Sequence, residues 1–128
     1  MDFDLVIIGS GPGGYVAAIR GAQLGLKVAI VEKEALGGVC LNWGCIPTKS
    51  FLRSAEVLKI IKDSEKYGIK SKLGDIDIRE IVKRSRSIAK KLSSGVEYLL
   101  KKNKVVIFDG AAAFKTSKSI VITSKNNV

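Results

Sequence analysis

The sequence predicts an α/β fold built on a parallel β-sheet, and three apolar runs support this prediction. The first, Phe3 to Ile8, leads directly into a glycine-rich turn, and Lys27 to Val31 and Lys104 to Asp109 are the other two. Nearly continuous apolar runs of this length are typical of strands that are buried on both faces of a parallel sheet. With 128 residues, 46% of them hydrophobic and 27% charged, the chain has the length and composition of one globular domain.

The first strand is followed by Gly9-Ser10-Gly11-Pro12-Gly13-Gly14, which contains the pattern G-x-G-x-x-G. In such a turn Gly9 allows the bend, Gly11 lets a pyrophosphate approach the backbone, and Gly14 lets the following helix pack closely on the strand. Helical apolar positions continue to Leu24, and we expect Gly25 to end that helix. A glycine turn alone is a weak signal, but a strand, turn, helix and second strand in this order favour a dinucleotide site.

Glu32 follows the second strand, about 20 positions after the glycine turn. This is where a dinucleotide-binding fold places the acid that accepts a hydrogen bond from a ribose hydroxyl. The alternative is a solvated carboxylate at the end of a strand.

The only two cysteines, Cys40 and Cys45, lie within the segment Gly37 to Lys49. Pro47 suits the first turn of a helix, so we expect Cys45 where a loop becomes a helix, whose free N–H groups stabilise a thiolate. Lys49 lies one turn later on the same face and would favour the same charge, although it could also be an ordinary surface lysine.

This arrangement predicts redox-active sulfur. Three other interpretations are two small buried hydrophobic residues, a structural disulfide and a zinc site. Zinc is disfavoured because the chain has no histidine and no third cysteine, so we expect no metal.

The middle of the chain predicts an antiparallel pair of helices that leaves the sheet and returns to it. The first is expected from about Pro47 to Tyr67, with Gly68 as its C-cap. Asp77 and Glu80 resemble a capping box at the start of the second. The second helix carries a packing seam that steps by four and three residues: Ile78, Val82, Ser85, Ala89, Leu92, Val96 and Leu99.

The C-terminal part predicts a return to β-structure. Gly110 to Ala113 are small residues that would let a ligand approach the backbone. We expect a turn from Phe114 to Lys118 and a half-exposed antiparallel strand from Ser119 to Ser124.

The formal net charge of +10 is compatible with a basic nucleic-acid-binding module. We expect neither nucleic acid nor membrane as a partner, because the lysines are dispersed without interleaved aromatic residues and no apolar run approaches ~20 residues. The acidic N-terminus does not resemble a signal peptide, which favours a cytoplasmic location.

The segment Gly-Gly-Val-Cys-Leu-Asn-Trp-Gly-Cys-Ile-Pro-Thr-Lys closely resembles the redox-disulfide motif of the flavin-dependent pyridine nucleotide–disulfide oxidoreductases. Within that family it is most similar to members that reoxidise dihydrolipoamide, the lipoyl arm of 2-oxo acid dehydrogenase complexes, with NAD as final acceptor. The resemblance implies a Rossmann-like FAD-binding fold, with Cys40 as the thiol that exchanges with substrate and Cys45 as the charge-transfer thiol against the flavin. The residues that it implies for cofactor binding are Gly9, Gly11, Pro12, Gly14, Glu32, Lys33, Gly38, Val39, Lys49, Gly110 and Ala112.

Full-length members of this family are homodimers with additional NAD and dimerisation domains. Residues 1–128 are therefore expected to be the N-terminal portion of the FAD-binding domain, with Met1 a true start and Asn126-Asn127-Val128 an arbitrary stop. The family's histidine–glutamate acid/base pair has no counterpart here, so we expect no turnover from these residues alone. The alternatives are a glutathione or mercuric reductase, in which Val-Asn-Val-Gly-Cys-Val-Pro is typical, and a nucleotide-binding module without turnover.

Overall fold

Residues 1–124 are described by a computed structural model in which a parallel sheet, a helix pair and an antiparallel strand pair follow one another. The elements are β1 (Leu5–Ile8), α1 (Pro12–Gln23), β2 (Val28–Glu32), α2 (Gly38–Asn42), α3 (Cys45–Lys62), α4 (Ile78–Lys102), β3 (Val106–Asp109), β4 (Ala111–Thr116) and β5 (Ser119–Thr123). The predicted α/β class, with its parallel sheet and C-terminal antiparallel strands, is confirmed. The chain end at Asn126-Asn127-Val128 lies outside the described residues.

The parallel sheet has the order β1-β2-β3, so the second strand in sequence is the central one. Val28 to Val31 of β2 are at most 1% exposed, as predicted for a strand covered on both faces. The same prediction is wrong for β1 and β3, which occupy the edges of the sheet. The side chains of β1 alternate between half-buried and exposed positions, because the helices cover only one face of this strand. Those of β3 are half-buried at Ile107 and Phe108 and exposed at both ends.

The core lies between that covered face and the helices α1 and α4. Ala18 of α1 and Val96 and Leu100 of α4 pack with Val28 and Ile30 of the central strand. On the opposite face, the apolar side chains of Val6 and Ile8 of β1 are 38% and 48% exposed. We call these two residues the bare sheet face.

The helix pair is confirmed, with changes at both ends. The first helix begins at Cys45 and ends at Lys62, and a separate 3₁₀ turn, Ser64–Tyr67, leads to Gly68 in the left-handed conformation. Asp77 caps α4 by accepting hydrogen bonds from the backbone N–H groups of Arg79 and Glu80.

In a full capping box the Glu80 side chain would also accept a hydrogen bond from the backbone N–H of Asp77. At this helix end the Glu80 carboxylate pairs with Lys83 instead. The helices run antiparallel, because residues later in α3 lie beside residues earlier in α4. Ser50, near the start of α3, accepts a hydrogen bond from Arg84, and Ile61, near its end, lines a groove with Ile81.

The predicted seam of α4 is only partly correct. Ser85, Ala89 and Val96 are buried as expected, but Leu100 is buried in place of Leu99. A straight helix drifts by about 20° per heptad relative to a 3.5-residue repeat, so the buried stripe moves off the heptad positions over 25 residues. Leu92 and Leu99 consequently remain exposed, as do Ile78 and Val82 in the first turns.

The predicted turn from Phe114 to Lys118 is too long. Phe114 pairs with Ile120 and Thr116 pairs with Ser119, so β4 extends to Thr116 and only two residues turn. The hydroxyls of Thr116 and Ser119 lie 2.6 Å apart and close the hairpin with a hydrogen bond. The alternating exposure predicted for the last strand is confirmed. In the described part of the chain, none of the helices combines the length and apolar character needed to cross a bilayer.

Candidate nucleotide cleft and cysteine pair

A cleft of about 580 Å³ opens where the chain leaves the carboxyl ends of β1 and β2 and enters β4. Ligands of open parallel sheets bind at this edge. Among the residues that the resemblance implies for cofactor binding, eight line the cleft: Gly9, Gly11, Glu32, Lys33, Gly38, Val39, Gly110 and Ala112. Pro12 and Gly14 lie in the first turn of α1, and Lys49 lies exposed on α3 outside the cleft lining.

The glycines of the turn are needed for different physical reasons. Gly9 has a φ of 92°, and its N–H donates to the carbonyl of Val31 at 2.8 Å, which ties the turn to the central strand. A Cβ at Gly14 would overlap the carbonyl oxygen of Gly9 and lie 3.1 Å from its carbon. A Cβ at Gly11 would meet nothing within 4 Å. Gly14 is therefore required for packing, whereas Gly11 leaves open space beside the cleft.

Glu32 is held by three hydrogen bonds. Its Oε2 accepts from the backbone N–H of Ser10 at 2.9 Å and from the Ser10 hydroxyl at 2.6 Å, and its Oε1 accepts from the N–H of Glu34 at 2.9 Å. Burial raises the pKa of this carboxyl. The hydrogen bonds from Ser10, and those from the backbone of Glu34 and Lys33, outweigh burial and bring the pKa below its ordinary value of 4.5. Glu32 is thus a structured, ionised carboxylate and not a freely solvated one.

We expect these bonds to make stability depend on pH on the acid side. Because the folded-state pKa of Glu32 is lowered, its contribution is present above the unfolded-state pKa near 4.5 and is lost as pH falls through the folded-state value. Glu32→Gln should therefore cost about 1 kcal/mol at neutral pH, discounted for the half-exposed carboxyl, and the cost should shrink in acid. Urea denaturation across this pH range measures it.

The exposed Asp2→Asn variant is the control, since it also removes one carboxylate. If both variants follow the same stability–pH curve, Glu32 does not carry the predicted dependence.

The two cysteines lie on consecutive helices. Cys45 is the first residue of α3, as predicted, and is exposed. Cys40 is half-buried and lies on the short helix α2, which the sequence analysis did not predict. The Asn42 side-chain amide donates to the carbonyls of Leu36 and Gly38 at 3.0 and 2.9 Å and closes this helical turn.

Both thiols are free and interact with each other. A hydrogen bond with the Cys45 side chain is the main cause that raises the pKa of the Cys40 thiol, with burial as the second. The positive charge of Lys49 acts in the opposite direction on the Cys40 pKa. The two thiols therefore lie close enough to influence each other, and a cation lies near them.

The cysteine segment packs directly on the glycine turn. The N–H of Gly37 donates to the carbonyl and to the hydroxyl of Ser10, at 3.1 and 3.2 Å. A Cβ at Gly38 would lie 2.9 Å from the Cα of Gly11, so the start of α2 touches the turn. Sequence analysis missed Ser10, whose signal is a hydroxyl inside the glycine turn, and Trp43, which also lines the cleft.

Comparisons with known proteins show the family of this chain. Residues 3–127 match the model of the family described as pyridine nucleotide-disulphide oxidoreductase. The dihydrolipoyl dehydrogenase of Zymomonas mobilis is 54% identical over 120 residues, which cover 94% of this chain and 26% of that protein. Dihydrolipoyl dehydrogenases of Chlorobaculum parvum and Acholeplasma laidlawii are 49% and 46% identical, over 97% and 98% of this chain and 26% and 38% of theirs.

The chain thus spans about a quarter to two-fifths of the length of these relatives. The chain belongs to the pyridine nucleotide-disulphide oxidoreductase family.

Proposed function

We propose that residues 1–128 are the N-terminal portion of the FAD-binding domain of a dihydrolipoyl dehydrogenase and carry its redox-active cysteine pair. The observation that carries this proposal is the contact between the nucleotide cleft and the cysteine segment, through the hydrogen bonds of Gly37 to Ser10. The names of the relatives support this enzyme over a glutathione or mercuric reductase.

The residues of the cleft fit an adenine dinucleotide. Gly11 leaves open the space that a pyrophosphate needs, and Glu32 offers an ionised carboxylate to a ribose hydroxyl. Lys33, Gly38 and Val39, together with Gly110 and Ala112 at the start of β4, would enclose the adenosine half. When bound, FAD would supply two-electron redox chemistry.

The cysteines would perform thiol–disulfide exchange with a dithiol substrate, which we propose is dihydrolipoamide. Starting from a Cys40–Cys45 disulfide, a substrate thiolate attacks the sulfur of Cys40, and Cys45 leaves as a thiolate. The second substrate thiol then attacks the mixed disulfide, which oxidises the substrate and leaves two reduced cysteines. Cys45 is the first residue of α3, and the positive charge of Lys49 acts on the Cys40 thiol by lowering its pKa.

In the whole enzyme we further propose NAD as final acceptor, a homodimeric assembly, a cytoplasmic location and the lipoyl domain of a 2-oxo acid dehydrogenase complex as partner. A cysteine pair in that compartment is more often catalytic than structural.

FAD binding tests the proposed nucleotide site. Gly11→Val should block the approach of the pyrophosphate to the backbone, and Glu32→Ala should weaken FAD binding by roughly 1–3 kcal/mol through the lost ribose contact. Flavin fluorescence titration measures the affinity, and gel filtration shows whether the flavin is retained. Gly95→Val is the matched control, because its Cβ also meets open space but lies on α4, away from the cleft. Unchanged FAD affinity in both cleft variants would contradict the placement.

A further inference from the structure

We propose that Ser10 is a positioning residue, whose buried hydroxyl fixes the Glu32 carboxylate to receive the ribose of the bound nucleotide. This inference rests on the proposed FAD site and assigns a role to a residue that the glycine pattern leaves unspecified. Ser10 is 0% exposed and lies at the wall of the cleft.

The hydrogen-bond pattern around Ser10 allows only one assignment of its hydroxyl proton. An ionised carboxylate is a pure acceptor, so the hydroxyl donates its proton to Oε2 of Glu32 at 2.6 Å. The oxygen of the hydroxyl then has a lone pair free to accept from the N–H of Gly37 at 3.2 Å. The Ser10 hydroxyl thus both donates and accepts a hydrogen bond, and it connects the end of β2 to the start of α2. We call this arrangement the Ser10 lock.

The Ser10 lock determines the orientation of the Glu32 carboxylate. A carboxylate has about four acceptor positions, and the two Ser10 donors with the N–H of Glu34 occupy three of them. Two of these three bonds converge on Oε2. The carboxylate is therefore oriented before a ligand arrives, which reduces the ordering cost of binding.

Ser10→Ala removes only the hydroxyl and leaves the local framework in place. The N–H of Gly37 keeps its bond to the Ser10 carbonyl at 3.1 Å, and Glu32 keeps the backbone donors of residues 10 and 34 at 2.9 Å each. The Ser10 hydroxyl is the largest of the contributions that lower the pKa of Glu32, so its loss moves that pKa upward.

The other charged groups near Glu32 stay constant in this variant. Lys33 and Glu34 are the remaining charged residues that line the cleft, and Asp109 is the partner of Glu32 on β3. A shift in the pH dependence of binding therefore reports on the lost hydroxyl and not on a changed neighbour.

The experiment is an FAD titration by flavin fluorescence between about pH 4.5 and 7.5, with circular dichroism to confirm that each variant is folded. We expect Ser10→Ala to bind FAD about three- to tenfold more weakly at neutral pH. The acid limb of its binding profile should move to higher pH, which a purely structural role of Ser10 would not produce. Ser64→Ala should change neither property, because that buried hydroxyl bonds to Ser71 after α3, far from the cleft in sequence.

Glu32→Gln provides a second measurement that does not depend on the folding of Ser10→Ala. In this variant FAD binding should no longer weaken as the pH falls, because no carboxylate is left at position 32 to be protonated. If binding still weakens in acid, Glu32 does not control the acid limb and the inference is overturned. If Glu32→Ala weakens FAD binding while Ser10→Ala matches the unsubstituted protein in affinity and acid limb, the inference is wrong and the proposed FAD site stands. If the unsubstituted protein does not bind FAD, the proposed site and the inference both fall.

Discussion

Gly14→Ala should destabilise the fold by about 3 kcal/mol or more. The added methyl group would overlap the carbonyl oxygen of Gly9 and would lie 3.1 Å from its carbonyl carbon, and backbone atoms cannot rotate away as a side chain can. The N-terminus of α1 would have to move off β1, and the packing of Ala18 against the central strand would be lost with it. Urea denaturation followed by circular dichroism measures the change.

Gly13→Ala is the matched control, because it adds the same methyl group one residue earlier in the same helical turn. Nothing lies within 4 Å of a Cβ at Gly13, and alanine has the higher helix propensity, so this variant should be as stable as the parent or more so by up to about 1 kcal/mol. Equal stabilities of the two alanine variants would show that close packing at Gly14 does not hold the turn.

Cys45→Ser should abolish the reduction of bound FAD by a dithiol. The two thiols interact in the reduced state, so we expect oxidation to join them within one chain. Serine cannot form that disulfide, and the exchange reaction then has no leaving group. Absorbance at the flavin band in a single-turnover experiment should show no reduction above that of free FAD.

Cys40→Ser should give the same result, whereas Thr48→Ser, in the first turn of α3, should reduce the flavin normally. Thiol blocking and mass spectrometry test the disulfide directly. Recovery of two freely alkylated cysteines from folded, oxidised protein would rule out the exchange reaction.

Local signals in the sequence were sufficient to predict helix starts, helix ends and turns where a single proline or glycine determines the backbone conformation around it. Pro47 predicted the start of α3 at Cys45, and the glycine pattern predicted the turn that precedes α1. Gly25 and Gly68 end their helical segments with positive φ, as expected. The motif around the cysteines also predicted the family, which the comparisons confirm.

Features that depend on contacts between distant segments were not predictable. Five residues are too few for a helical period, so α2 was missed, and its turn depends on the side-chain bonds of Asn42. The role of Ser10 depends on the approach of Glu32 and Gly37, which lie more than 20 residues away. The exposure of β1 and β3 depends on which faces of the sheet the helices cover. An apolar run in the sequence does not show whether one face of a strand or both will be covered.

The bare sheet face has a consequence for the colloidal behaviour of these 128 residues. In the described part of the chain, β1 pairs only with β2, so its outer edge presents unpaired backbone groups beside the exposed side chains of Val6 and Ile8. Such an edge is a template for pairing with another chain. The net charge of +10 opposes this association by repulsion between copies, over a Debye length of about 30 Å at 0.01 M salt and about 8 Å at 0.15 M. Salt therefore weakens the repulsion without covering the apolar face, so low ionic strength is the condition that keeps separate copies of this chain dispersed.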